Sequence, residues 1–173
     1  VSGKDWSASA LHQKCLRITP NYIRVDADEL TYPLHVILRY RLEQSLLSGE
    51  LSIKDLPAAW NDMFMKSFGF RPTNDSDGCL QDIHWYDGAF GYFPTYTLGA
   101  MAAAQLFSAA LEDEPKILTK LEKGDFSDLL DWLREHVHSW GSYYSTDEII
   151  KRATGLPLDP SFYISHLKSR YMQ

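Results

Sequence analysis

Hydrophobic and polar positions recur along this chain with a helical period over most of its length. Between Ile23 and Leu47, Leu30, Leu34, Ile37 and Leu38 fall on one side, while Asp28, Tyr32, His35, Arg39 and Glu43 form a polar stripe at spacings of three and four. Pro33 interrupts the pattern and predicts either a kink or a fresh start just after Glu29. Ser48-Gly49 closes the element. A second helix is expected over Ile53–Phe68, with Leu56, Trp60, Met63 and Phe64 inward, Ser52 as a cap, Asp55 in the capping-box position and Gly69 as the stop. Ahead of both, Ala10 to Arg17 suits a short helix stopped by Thr19-Pro20, and Val1 to Ser9 carries only a polar pattern.

Phe70 to Gly78 is dense in turn formers and reads as a loop. Thr95 to Leu111 is alanine-rich, and its small side chains predict a helix packed closely on several sides. Gly124-Asp125 leads a helix with Phe126, Leu129, Leu130, Leu133, Val137 and Trp140 on one face, closed by Gly141. Ser145-Thr146-Asp147-Glu148 is a capping box for a helix ending near Gly155, and Asp159-Pro160 starts another. No strand pattern, internal repeat or low-complexity tract emerges. The expectation is an all-α, multi-helix domain.

Composition narrows the classes without naming one. A length of 173 residues fits one domain with a sizeable core, and 45% hydrophobic with 23% charged residues describes an ordinary globular chain. The net charge of −6 argues against a nucleic-acid partner, which needs a basic face. Two cysteines, Cys15 and Cys79, make no disulfide framework. With neither a signal-peptide pattern nor a long apolar run, the reading is a cytoplasmic, reduced protein with no membrane partner. The chain starts at Val1, so a piece of something longer is a further expectation.

Candidate chemistry concentrates between Gly78 and Tyr96, where Gln81, Asp82, His84, Trp85, Tyr92 and Tyr96 lie among glycines and a proline. Asp82 can orient His84, whose imidazole suits proton transfer or a hydrogen bond to an oxyanion; a structural histidine beside a core Trp85 is the competing reading. Tyr92 and Tyr96, one turn apart, offer phenols to a carbonyl, or simply pack. Arg24, held by Asp28 four residues on, can clamp a carboxylate through paired hydrogen bonds, or form a plain surface pair. His136 and His138 diverge on their helix and make a poor metal pair. Cys79, without a base arrangement, reads as a small packing residue. No metal, phosphate-loop or serine-hydrolase motif occurs.

These residues resemble a known family. Ile23-Arg24-Val25-Asp26-Ala27-Asp28 looks like the Ile/Val-Arg-x-x-Ala-Asp motif of the carboxypeptidase Taq family of zinc metallocarboxypeptidases. Gly78-x-x-Gln81-Asp82-x-His84-Trp85 is similar to its Gly-x-x-Gln-Asp-x-His-Trp motif. Flanking runs also look alike, among them Asp28-Glu29-Leu30-Thr31-Tyr32, Phe90-Gly91-Tyr92-Phe93-Pro94-Thr95-Tyr96 and Ala153-Thr154-Gly155 with Leu158-Asp159-Pro160. The resemblance runs from about Asn21 onward, leaving residues 1–22 as a lead-in and 23–173 as the C-terminal helical region of such an enzyme.

The resemblance implies a homodimeric, cytoplasmic enzyme that removes C-terminal amino acids from peptides with broad specificity, using a metal-activated water. It implies that Arg24 binds the peptide's C-terminal carboxylate. Gln81, Asp82 and Trp85 would line the cleft, with Asp28 supporting Arg24. His84 would touch the substrate or intermediate, and Tyr96, or Tyr92, would donate at the scissile carbonyl. The family's His-Glu-x-x-His helix and its downstream glutamate belong before Ile23 and are not in this sequence. Zinc is therefore expected in the intact enzyme and not in this chain, which alone is expected to be inactive. The alternatives are a helical interaction module that lost the chemistry, and a cysteine-type enzyme using Cys79 with His84.

Overall fold

In the computed structural model, which describes residues 6–172, every regular element is helical and no strand occurs among the described residues. Eight α-helices are described: α1 Ala8–Cys15, α2 Tyr32–Ser48, α3 Leu56–Phe68, α4 Pro94–Asp113, α5 Lys116–Leu121, α6 Ser127–His136, α7 Thr146–Thr154 and α8 Pro160–Tyr171. The all-α expectation holds. The polar run Val1 to Ser9, and the lead-in to which it belongs, begin outside the described residues. Two compact units are described, one reaching to Thr97 and the other running from Leu98.

The long pattern from Ile23 is not one helix. Arg24–Asp26 forms a single 3₁₀ turn, and α2 starts afresh at Tyr32 with Pro33 in its first turn. Asp28 sets that start: its Oδ1 accepts the Thr31 N–H at 2.9 Å and its Oδ2 the Thr19 N–H at 2.9 Å. Gly49 then ends α2 with φ of 79°.

The larger surprise is which face of α2 is buried. Val36, Leu38 and Leu42 point inward as an apolar face should, but so do His35, Arg39 and Glu43. Leu34 and Ile37, expected inward, are exposed. The polar stripe is thus part of the core, because the segment after α3 brings it partners: Asp82 meets the Arg39 charge, and the Trp85 and Gly91 N–H groups donate to Glu43. In α3 the reading holds: Leu56, Trp60 and Phe64 are buried and pack with Leu38, Leu42 and Cys79, with Met63 at the edge. The Ser52 hydroxyl donates to the Asp55 carboxylate and makes no backbone cap.

Gly78 sits where chain and core meet. A Cβ there would lie 3.2 Å from the Asn74 carbonyl oxygen and 3.5 Å from the Trp60 ring. Any larger residue would need the Asn74 carbonyl to give by a few tenths of an ångström.

From Leu98, the second unit buries Ala110, Ile117, Trp132 and Ala153 together. Trp132 replaces the expected Phe126 and Leu130, which are exposed. The α4 helix is buried less than its alanines suggested, with only Gln105 and Ala110 fully enclosed. Gln105 acts as a clasp: its Nε2 donates to the Thr154 hydroxyl and to the Leu156 and Pro157 carbonyls, while its Oε1 accepts the Asp159 N–H. The α7 capping box forms as expected, with Ser145 and Glu148 each satisfying the other's backbone N–H. Asp159 caps α8 through Ser161 N–H.

Candidate functional site

The site is built around Asp82, a carboxylate of low exposure reached from two elements. Its Oδ1 accepts from Arg24 Nε at 3.0 Å and Nη2 at 2.7 Å, and its Oδ2 accepts from Arg39 Nε at 2.5 Å. Burial alone would push this carboxyl up, but the Arg24 hydrogen bonds and the Arg39 charge outweigh it and hold it below the usual carboxylate range. Arg39 is fully buried over the Trp60 ring at 4.7 Å, and burial brings its pKa down to about 10, leaving it charged at neutral pH.

Arg24 is buried, and its five N–H donors divide cleanly. Two go to Asp82 and one Nη1–H goes to the Tyr32 hydroxyl at 2.6 Å. One donor on each terminal nitrogen has no partner among the described residues. The guanidinium lies over the Tyr96 ring at 4.8 Å, so it is held on its edge and on its face. Its backbone N–H donates to Gln81 Oε1 at 2.8 Å, while Gln81 Nε2 spends its donors on the Tyr22, Asp77 and Gly78 carbonyls. Gln81 therefore acts as a splice between the Arg24 turn and the 78–85 loop.

Two readings from the sequence are corrected here. Arg24 is held by Asp82 and not by Asp28, whose carboxylate is occupied at the start of α2. Nor does Asp82 hydrogen-bond His84: His84 Nδ1 lies 3.9 Å from Asp82 Oδ1, because both oxygens already serve arginines. The His84 ring instead packs on Phe93 at 4.4 Å between centroids and shares a hydrogen bond of 2.9 Å between Nε2 and the Tyr96 hydroxyl. Burial pushes the Tyr96 phenol above its ordinary value, which keeps the proton on it. Tyr92 stacks edge-on against Tyr96 at 5.4 Å and is half exposed.

Arg24, Gln81, Asp82, His84, Tyr92 and Tyr96 line one open cavity of about 440 Å³, together with Val25, Ile83, Asp87 and Ala89. Asp28 and Trp85, expected in the same wall, are not among its lining residues. Trp85 turns to the core, edge-on to Trp60 and Phe93, and donates its indole N–H to Glu43 Oε2 at 2.7 Å. The sequence reading missed Arg39 and Glu43 as parts of this assembly. Their signal lay in the sequence: two charged residues four apart, in register with His35, on a helix whose opposite face is also apolar.

Cys79 belongs to the core cluster, and burial pushes its thiol up, away from the thiolate a nucleophile needs. Among the described residues no group of three or more His, Cys, Asp or Glu side chains is placed to hold a metal ion.

A chain whose described regular elements are all helical, and which sets a guanidinium, an imidazole and phenols around one cavity, fits the profile of the carboxypeptidase Taq (M32) metallopeptidases, which matches residues 2–171. The chain belongs to that family. Carboxypeptidase 1 of Bacillus subtilis (strain 168) is 47% identical over 171 residues, which is 99% of this chain and 34% of that protein. Thermostable carboxypeptidase 1 of Pyrococcus furiosus is 42% identical, over 90% of this chain and 31% of that protein. The structure of metallocarboxypeptidase 1 from Trypanosoma cruzi superposes with a TM-score of 0.94 at 41% identity, covering 99% of this chain and 36% of that one. The chain thus spans about a third of the length of the relatives it matches.

Proposed function

We propose that this chain is the C-terminal, substrate-binding wall of a zinc-dependent metallocarboxypeptidase that releases C-terminal amino acids from peptides with broad specificity. The observation that carries the reading is the division of Arg24's donors. Asp82 and Tyr32 fix the guanidinium, and one N–H on each terminal nitrogen remains beside an open cavity. Two parallel N–H donors are what a peptide's terminal carboxylate accepts. Beside the guanidinium, the His84–Tyr96 pair offers a hydrogen-bond donor to the carbonyl of the last peptide bond and to the oxyanion formed there.

The zinc of the intact family enzyme would polarise that carbonyl and activate water. The described residues of this chain do not fit it: a catalytic zinc needs three converging protein ligands, and no such group is found among them. His84 is a substrate contact in this proposal, since its Nε2 is engaged with Tyr96. The metal is assigned to the remainder of the family enzyme, and the 173-residue chain by itself is inactive. Zinc analysis of the purified chain checks this: well below one ion per chain is expected, and one tightly held ion per chain contradicts it.

The test of the carboxylate grip is kinetic. In a protein joining this stretch to the family's metal-bearing region, Arg24→Ala raises KM on peptides with a free C-terminal carboxylate by about ten- to a hundredfold, as losing a charge-assisted pair requires. An equal effect on C-terminally amidated peptides refutes the grip. The same reading makes the protein a cytoplasmic homodimer. Support for self-association comes from Leu47, Ile53, Ile83 and Tyr86, all more than half exposed. A single monomeric boundary in sedimentation at micromolar concentration contradicts it.

A further inference from the structure

Glu43 is a buried carboxylate that the proposed chemistry does not use. It is 4% exposed, one helical turn after Arg39 on α2. Its two oxygens reach both ends of a short loop: Oε2 accepts the Trp85 indole N–H, and Oε1 accepts the Gly91 backbone N–H. Gly91 has φ of 77°, a left-handed conformation in which a side chain is strained. One turn back on the same helix face, Arg39 holds Asp82.

His84 lies in sequence between those anchors, flanked by Asp82 on one side and by Trp85 and Gly91 on the other. Its own ring makes one hydrogen bond, to the Tyr96 hydroxyl, and Tyr96 follows Gly91 by five residues. The loop that sets where His84 and Tyr96 meet is thus tied down by α2 at each end. Two buried ionisable side chains on one turn of helix are a poor device for stability alone, because apolar residues of similar volume serve a core as well or better. They are well suited to fixing a geometry.

We infer that Glu43 is a positioning residue, which with Arg39 behind it sets the His84–Tyr96 pair from outside the cavity. The inference rests on the reading of His84 and Tyr96 as substrate contacts. In Glu43→Gln, one side-chain oxygen still serves a donor, but the new amide NH₂ faces the other donor, so one end of the loop is released. Nothing in the cavity itself is altered.

The experiment uses nuclear magnetic resonance on the 173-residue chain. It follows the His84 ring nitrogens, the Trp85 indole N–H and the Gly91 amide. In Glu43→Gln the Gly91 amide is expected to exchange at least roughly tenfold faster. The His84 Nε2 signal should move toward that of a Tyr96→Phe variant, while Trp60 and Phe64 signals stay in place. Leu42→Ala serves as a control that weakens the packing of the same helix against the core while keeping both Glu43 hydrogen bonds, and it should move the His84 signal by less. If Glu43→Gln does not fold, Trp85→Phe removes one of the two donors and should shift His84 in the same direction by less. An unmoved His84 signal in a folded Glu43→Gln, or in Trp85→Phe when the former cannot be made, overturns the inference. So does an equal shift in Leu42→Ala. Because none of these signals depends on peptide turnover, failure of the carboxylate grip would show separately, in the Arg24→Ala kinetics.

Discussion

Replacing Asp82 by asparagine tests the centre of this structure most severely. The change keeps the shape and removes the charge that Arg24 and Arg39 share. Asparagine has one oxygen and one NH₂, so whichever way it turns, a donor faces a guanidinium. Arg39 is fully buried and cannot swing to water. Its charge, and much of that of Arg24, would be left uncompensated in the core. Removing one partner of a buried pair costs about 3–5 kcal/mol. At roughly 2–4 °C per kcal/mol for a chain of this length, melting should fall by about 6–20 °C. The assay is urea unfolding followed by tryptophan fluorescence, with Trp60 and Trp85 both beside the network. The pH dependence carries the sign. Asp82 titrates below its unfolded value of about 3.9, so its contribution is complete above that pH and is lost as pH falls through the lower folded pKa. The variant and the parent should therefore converge in strong acid. A difference under about 1 kcal/mol at pH 7, or one that persists undiminished in acid, refutes the reasoning.

His35 gives a second pH effect of the same direction at higher pH. Burial first, and the Arg39 charge next, bring its pKa from 6.5 to about 4, so the folded chain holds it neutral. Between those values the unfolded chain takes up the proton and the folded chain does not, so stability falls with falling pH by up to about 1.4 kcal/mol per unit. Unfolding measured at pH 7 and pH 5 should show that loss, and His35→Phe should remove most of it; an unchanged slope contradicts the assignment. In the second unit, Gln105→Leu strips partners from the Thr154–Asp159 turn and should cost at least about 2 kcal/mol, read by urea unfolding with Trp132 as the probe. A loss no larger than that of an exposed alanine substitution in α4 would show the clasp to be incidental.

How much of this could be seen in the sequence follows from what kind of information each part needs. Helix ends written in local chemistry were legible: Gly49, Gly69 and Gly155 end helices in left-handed conformations, and Ser145 with Glu148 forms its box. Motif residues Arg24, Gln81, Asp82, His84, Tyr92 and Tyr96 do share a cavity. Pairings over long sequence distance were not legible. Asp28 stands four residues from Arg24 and looked like its partner, but the partner is Asp82, and a one-dimensional pattern has no means to rank a residue 58 positions away. The polar stripe on α2 misled for the same reason. Periodicity reads His35, Arg39 and Glu43 as solvent-facing until Asp82, Trp85 and Gly91 are brought to them.

In the proposed function, Arg24 offers two N–H donors to a peptide's terminal carboxylate. The decisive measurement is a titration of the 15N-labelled chain with an N-acetylated amino acid, and separately with its C-terminal amide. The Arg24 side-chain N–H signals and the His84 ring signals should move with the acid and stay fixed with the amide. The response should disappear in Arg24→Ala. Equal movement with acid and amide, or a response to the acid that survives Arg24→Ala, contradicts the grip.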